Sequence, residues 1–513
     1  MQLSRNALKS VAKRDNIILP DEKVFALPEK ILQFGTGVLL RGLPDFLISK
    51  ANNEGKFNGR IVIVKSTSGG GDADTFTQQD GLYSVCVRGI DGGKKIDEIH
   101  VCAAVSRVLT AADQWEEVLS CAENPEMQLV ISNTTEVGIT LSEDDVHASP
   151  PESFPGKLLA FLYRRFHHFE GDARKGMVII PTELIPENGD KLLAILLELA
   201  HQNDLEIDFI DWVENANTFC NSLVDRIVPG KLSEKEEQEV ENVVGYKDSL
   251  MIMSETYALW AIECADERIN EILSFSKSHE GIIIAKNINK FRELKLRLLN
   301  GSHTFSCGLA FLAGFDTVKE AMSNASFAAY ISELMYNEII PSIINEQISE
   351  EEARSFASSV LDRYRNEFLD HHWLSITVQY SSKMYLRNTA TIENYYKRYG
   401  KPPVFMALGL AAHILFLRSE KEKDDKYYGE ANGSKYLITD DNAALYSSGW
   451  KKYRPEYIVK SILGSVDLWQ TDLNQLPGFA KEVTSMLNIL KNEGAVNAVN
   501  FAFSETNSLI NEA

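Results

Sequence analysis

Residues 295 to 303 read KLRLLNGSH, an apolar helical run interrupted by Lys295, Asn300 and His303. A lysine can exchange a proton with an alcohol or carbonyl oxygen. An amide can steady an oxygen that gains negative charge, and an imidazole can orient a hydroxyl. On an α-helix turning about 100° per residue, the three side chains fall within about 140° of arc, and Lys295 and His303 lie about 12 Å apart along the axis. One broad face can therefore serve one extended small substrate. The same pattern also fits a snorkelling lysine and a core histidine that has found a partner.

Such residues need a scaffold, and the chain has length for more than one. Its 513 residues exceed an ordinary single core. Upstream, EKILQFGTG, GRIVIVKSTSGGG, MQLVISNTTEVG and KGMVIIPTEL read as short strands buried on both faces, the pattern of a parallel sheet. Helical runs such as ADQWEEVLSCAENP and GKLLAFLYRRFHHF separate them, as βαβ crossovers require. Two β-rich runs joined by Asp91, Gly92 and Gly93 predict an inserted hairpin. Beyond residue 285 long helical segments dominate, and the polar stretch 419–435 reads as a solvated loop. The expectation is α/β plus α: a Rossmann-type dinucleotide-binding domain with an inserted hairpin over 1–285, and a mostly helical substrate-binding and catalytic domain over 286–513.

The turn after the first strand supports that reading in part. In FGTGVLLRG, Gly35 and Gly37 follow Phe34, where a dinucleotide-binding fold brings backbone close to a pyrophosphate. Leu40 replaces the third glycine of the usual fingerprint, and Pro44 fits only the first turn of a helix, so the following helix is expected to start near Arg41. A lone GxG also describes an ordinary strand-to-helix turn. Lys65 stands where an acid would hold the ribose of NAD; it suits a 2'-phosphate or a solvated strand end equally. Asn133 and Glu136 in SNTTEVG are candidates for the nicotinamide end, or parts of a capping turn. Asp225 and Arg226, inside the apolar frame SLVDRIVP, either pair with each other or face a polar ligand.

Composition excludes several classes. A net charge of −21 without a basic patch argues against nucleic acid. No run approaches the length of a membrane span, and the first residues lack a secretory block, so a cytoplasmic protein is expected. Six scattered cysteines contain no CxxC, and the histidines form no HExxH, so neither disulfides nor a metal site are expected. The expected partner is a small-molecule substrate, and the expected assembly a monomer or small homo-oligomer.

KLRLLNGSHT resembles the Lys-x4-Asn-x2-His motif of the long-chain mannitol dehydrogenase family, and FCNSLVDRIVP resembles its second signature. The resemblance runs along nearly the whole chain through FGTG, QDGLYSVCVRG, SNTTEVGI, PTELIPENGDKL and SSKMYLR. It implies zinc-independent, NAD(P)-linked interconversion of a ketone and a secondary alcohol, in a cleft between a Rossmann-type and a helical domain. By the same resemblance Lys295 is the general acid/base, Asn300 and Asn188 are the two arms around the substrate oxygen, and His303, Lys383 and Arg387 position the substrate, with Asp225 and Arg226 nearby. Three positions depart from the pattern: Asn217 is usually aliphatic, Ser375 stands where polyol-oxidising members carry arginine, and Lys65 replaces an acid. Several stretches look most like the branch that interconverts tagaturonate and altronate with NAD. Fructuronate reduction and polyol oxidation are the alternatives, and a nicotinamide-binding sensor without turnover is the different class.

Overall fold

A computed structural model describes residues 1–66, 72–134, 138–266, 269–422 and 425–511. The chain divides into two compact units, one of residues 1–89 and 95–288, the other of residues 90–94 and 289–513.

The first unit is built on a six-stranded, fully parallel sheet. Its strands are β1 (Glu29–Phe34), β2 (Arg60–Lys65), β3 (Val105–Thr110), β4 (Leu129–Ser132), β5 (Val178–Pro181) and β6 (Thr218–Phe219). In space they run β3-β2-β1-β4-β5-β6, the Rossmann order, with the direction of winding reversing between β1 and β4. All four expected strands are present. Their apolar runs are continuous because both faces are covered: Ile31, Ile61, Ile63 and Ile131 pack towards Phe46 and Leu47, and Leu32, Val62, Val64 and Val130 towards Leu158, Leu162 and Leu196.

The helix after β1 departs from expectation. It begins at Val38, breaks at Leu43 (φ −130°, ψ −79°) and restarts as Pro44–Asn53. Pro44 fits the opening of the second piece because its missing N–H is needed by no helical bond there. The expected hairpin is present as Tyr83–Asp91 and Lys94–Cys102, with Gly92 and Gly93 both at positive φ in its turn.

In the second unit the helix Val404–Phe416 is buried nearly all round, as a central helix must be, rather than along one stripe. Helix Ser302–Leu312 crosses it closely. A Cβ on Gly409 would stand 2.8 Å from the Phe305 carbonyl oxygen, and one on Gly308 3.3 Å from that of Ala412, so glycine at both positions permits the approach. The stretch read as a solvated loop is instead largely a small antiparallel sheet. Tyr427–Ala431 and Ser434–Ile438 form a hairpin around Asn432-Gly433, both at positive φ, with Glu420–Lys421 alongside. The Asn-Gly signal was in the sequence, masked by its charged neighbours.

Among the described residues, three π-helical turns interrupt the helices of this unit: Lys295–Gly301, Leu334–Ile339 and Tyr385–Thr389. Two of them carry expected site residues.

Candidate active site

In the first unit the candidate cofactor cradle lies at the carboxyl end of β1 and β4, where the winding reverses. The ladder continues one residue past the strands: Gly35 N–H donates to Val64 O (3.1 Å) and Asn133 N–H to Phe34 O (3.2 Å). Phe34 is fully buried and ends β1. Gly35 adopts φ +120°, and a Cβ there would lie 2.9 Å from Asn133 O, so the crossing admits only glycine. At Gly37, the residue preceding the helix, a Cβ would meet nothing within 4 Å; the space beside its backbone is open. A tight turn followed by an open glycine suits close approach of a pyrophosphate. Glu136 lies outside the described residues. Lys65 is buried at the end of β2.

Sequence reasoning missed the residue that braces this edge. Glu183, just beyond β5, accepts from Thr134 N–H (2.8 Å), Thr134 Oγ1 (2.9 Å) and Ser132 Oγ (3.1 Å). Asn133 turns its amide to the Thr182 carbonyl and hydroxyl, both at 3.0 Å. An acid directly after a buried strand, level with a polar Ser-Asn-Thr turn, is the signal that points to such a brace.

Two expected ligand-facing residues are committed elsewhere. Asn188 is fully buried; its Nδ2 donates to Pro181 O (3.0 Å), Glu183 O (3.0 Å) and Ser222 O (3.2 Å), and its Oδ1 accepts from Gly189 N–H (3.0 Å) and Ser222 N–H (2.8 Å). Both amide ends are occupied by backbone, so Asn188 here ties the ends of three segments together. Arg226 donates to Glu255 O through Nε (3.0 Å) and Nη2 (2.8 Å) and to Gly42 O through Nη1 (2.6 Å), with its guanidinium over Phe46. Burial pulls it down to about 10. It clamps two backbone segments together. Asp225 is buried at the end of its strand, opposite Leu259.

In the second unit Lys295 and Asn300 occupy the π-helical turn. That turn changes the geometry expected from an α-helix. Five residues advance about 140° on an α-helix, whereas a π-helix bonds residue i to i+5 and so stacks such residues on one side. Lys295 and Asn300 therefore form a column. Lys295 is half-buried, and the side-chain amide of Asn300 makes no hydrogen bond among the described residues, in contrast to Asn188.

His303 follows on the α-helical continuation and is 7 % exposed. Its ring stacks on Tyr364 (centroids 4.1 Å apart) and meets His371 and Trp373 edge-on. Burial first, then the positive charge of nearby His371, Arg363 and Arg387, holds it well below the usual histidine range, so the ring is neutral. Nε2 has no hydrogen-bond partner among the described residues.

The π turn Tyr385–Thr389 is bound directly to the first. Arg297 Nη1 donates to Leu386 O (3.1 Å) and Arg387 O (2.7 Å), and Asn388 Nδ2 to Gly301 O (3.3 Å). Arg387 Nη1 reaches Thr304 Oγ1 (3.0 Å), which itself donates to Asn300 O (2.8 Å). Lys383 donates to Ile376 O at 3.0 Å. Burial and then the neighbouring Arg387 push Lys383 below the ordinary lysine range, and burial pulls Arg387 down as well. Lys295, Asn300, His303, Lys383 and Arg387 thus all lie in one unit, with Arg387 near enough to Lys383 to push it down. Thr304 and Tyr364 join them without having been singled out in the sequence. Ser375 is exposed, its hydroxyl donating to His372 O at 2.7 Å.

A Rossmann-ordered sheet with a glycine cradle, together with a helical unit bearing a lysine-asparagine column, defines a dinucleotide-dependent oxidoreductase. Models of the mannitol dehydrogenase Rossmann domain and the mannitol dehydrogenase C-terminal domain match residues 29–273 and 287–491, and the chain belongs to the mannitol dehydrogenase family. It is 35% identical over 482 residues to a protein of Halalkalibacterium halodurans named altronate oxidoreductase, covering 92% of this chain and 93% of that one. An Escherichia coli protein of the same name is 35% identical over 481 residues, covering 92% and 96%. Among solved structures, a substrate-free D-sorbitol dehydrogenase shares the fold at a TM-score of 0.76 and 21% identity, covering 97% of this chain and 100% of that one. A Pseudomonas fluorescens mannitol 2-dehydrogenase, solved with NAD and D-mannitol, does so at 0.66 and 21%, covering 98% and 100%.

Proposed function

We propose that this oxidoreductase interconverts tagaturonate and altronate with NAD(H). The observation that carries the reading is the π-turn column of Lys295 and Asn300 beside the partly desolvated cations Lys383 and Arg387. The relatives named altronate oxidoreductase support the substrate. Phe34, Gly35, Gly37 and Asn133 are the residues that would hold the dinucleotide, whose nicotinamide supplies the hydride in ketone reduction and takes it up in alcohol oxidation. Lys295 gives its proton to the carbonyl oxygen in one direction and accepts it in the other. Asn300 donates a hydrogen bond to that oxygen while charge builds on it. His303, neutral, orients a substrate hydroxyl through Nε2, and Arg387 and Lys383 receive the carboxylate, where charge-assisted bonds gain strength from partial burial.

Fructuronate and polyols are the competing substrates. The absence of an arginine at Ser375 disfavours polyols. We read the protein as cytoplasmic, on the strength of its free cysteines and a soluble substrate, and as a monomer or small homo-oligomer. Among the described residues no helix is long and apolar enough to cross a membrane. The test is steady-state kinetics on tagaturonate, fructuronate and fructose with NADH and NADPH. Tagaturonate with NADH is expected to give the highest kcat/KM, and turnover is expected to survive exhaustive chelation. Equal efficiency on fructose, which lacks the carboxylate, would overturn the assignment.

A further inference from the structure

Cys220 and Cys264 flank an antiparallel strand pair outside the catalytic machinery. Ser222–Asp225 pairs with Leu259–Glu263 in a register that sets Ser222 opposite Ile262. Continued two residues outward, that register sets Cys220 opposite Cys264. Glu263 N–H donates to Asn221 O (2.8 Å), which makes Asn221 and Glu263 a hydrogen-bonded pair. Antiparallel pairs alternate, so Cys220 and Cys264 take the next, non-hydrogen-bonded position, where opposed Cα atoms approach to about 4.5 Å and side chains leave on one face. A disulfide accepts Cα separations of about 4.4–6.8 Å.

The surrounding backbone keeps the two in place. Cys220 N–H donates to Ile179 O (2.9 Å), and Cys264 N–H to Ala285 O (2.8 Å), each towards a different neighbouring strand. Cys220 is fully buried, whereas Cys264 is partly open to solvent. The Cys264 sulfur accepts from Asp266 N–H at 3.3 Å, a contact that favours thiolate. The nearness of the two thiols pulls Cys264 down and, with burial, pushes Cys220 up. The chemistry divides accordingly: Cys264 meets an oxidant first, and Cys220 resolves.

We propose that Cys220 and Cys264 are a reversible disulfide site of the folded protein, oxidised by a peroxide. The Cys264 thiolate attacks hydrogen peroxide, the O–O bond breaks, and a sulfenic acid forms with release of hydroxide. The Cys220 sulfur then attacks the Cys264 sulfur, the S–O bond breaks, and the Cys220 proton leaves with the hydroxyl as water. Two thiols lose two electrons in total, and peroxide is reduced to two waters.

The test treats the full-length, reduced protein with hydrogen peroxide, then counts free thiols in denaturant and maps cross-linked peptides by mass spectrometry. The thiol count is expected to fall from six to four, with one cross-link joining the Cys220 and Cys264 peptides, reversed by dithiothreitol. Cys264→Ser is expected to keep its five remaining thiols at the same dose. Cys220→Ala is expected to stop at a sulfenic acid on Cys264, trapped by dimedone. If Cys220→Ala fails to fold, the wild-type map and Cys264→Ser decide alone. Cys264 oxidised without a link to Cys220, or a cross-link through any other cysteine, overturns the proposal.

Discussion

Lys295 and Asn188 make opposite demands on experiment. Replacing Lys295 by Met removes the proton donor while leaving the other unit's cradle intact. Turnover is expected to fall by roughly 100-fold or more with NADH binding nearly unchanged, measured by steady-state kinetics and cofactor titration. Asn188→Ala removes five hydrogen bonds to buried backbone, and each buried group left unpaired costs about 1–3 kcal/mol. Its main effect is therefore expected in thermal unfolding, with kcat per folded molecule largely kept. A stable Asn188→Ala enzyme with collapsed kcat would restore that residue to the reacting oxygen. The family motif marked both positions alike; hydrogen-bond accounting separates them.

At the level of elements the π turns carry the argument. Lys295–Gly301 contains one residue more per turn than its α-helical flanks, and that extra residue aligns Lys295 with Asn300. Deleting the half-buried Leu296 is expected to let the segment relax to α-helix, keeping the circular dichroism spectrum but lowering kcat by at least about 100-fold, as for loss of the lysine itself. Retained turnover in a folded deletion variant would show that the column is incidental. The turn was not legible in the sequence, because π and α segments draw on the same residue types and differ only in which carbonyl each N–H meets. The strands were legible, since apolar runs between glycine turns have few other uses. The hairpin at Asn432-Gly433 is legible in principle, but the charged residues around its turn mimic a solvated loop.

On the scale of the whole molecule, buried histidines couple stability to pH. His413, enclosed by Tyr380, Tyr446 and Trp469, has no partner for either ring nitrogen among the described residues, and burial drives it down to about 3. His279 is held at about 4, chiefly by burial. In the unfolded chain such groups titrate near 6.5. Between the folded and unfolded values the unfolded state binds the extra proton, so stability falls as pH drops below about 6.5. For one histidine the slope is about 1.4 kcal/mol per pH unit. Denaturant unfolding at pH 6.5 and pH 5 is expected to show His413→Met losing about 2 kcal/mol less than wild type over that interval. Identical slopes would mean that His413 does not stay neutral in the native state.

Sequence alone determined the class of chemistry and the order of the scaffold. Strands buried on both faces, the GxG turn and the Lys-x4-Asn-x2-His spacing are local patterns, and each follows from the residues within one segment. Tertiary structure decided which of the polar residues are available. Asn188 and Arg226 look like ligands in a string of letters, yet backbone carbonyls brought from distant segments, Ser222 to one and Gly42 and Glu255 to the other, occupy them. Glu183 looked incidental and braces the edge of the cradle. The π turn that aligns Lys295 with Asn300 is tied by Arg297 and Asn388 to a segment nearly ninety residues away along the chain. Hydrogen-bond partners are set by what the fold brings within about 3 Å, a distance that sequence separation does not encode.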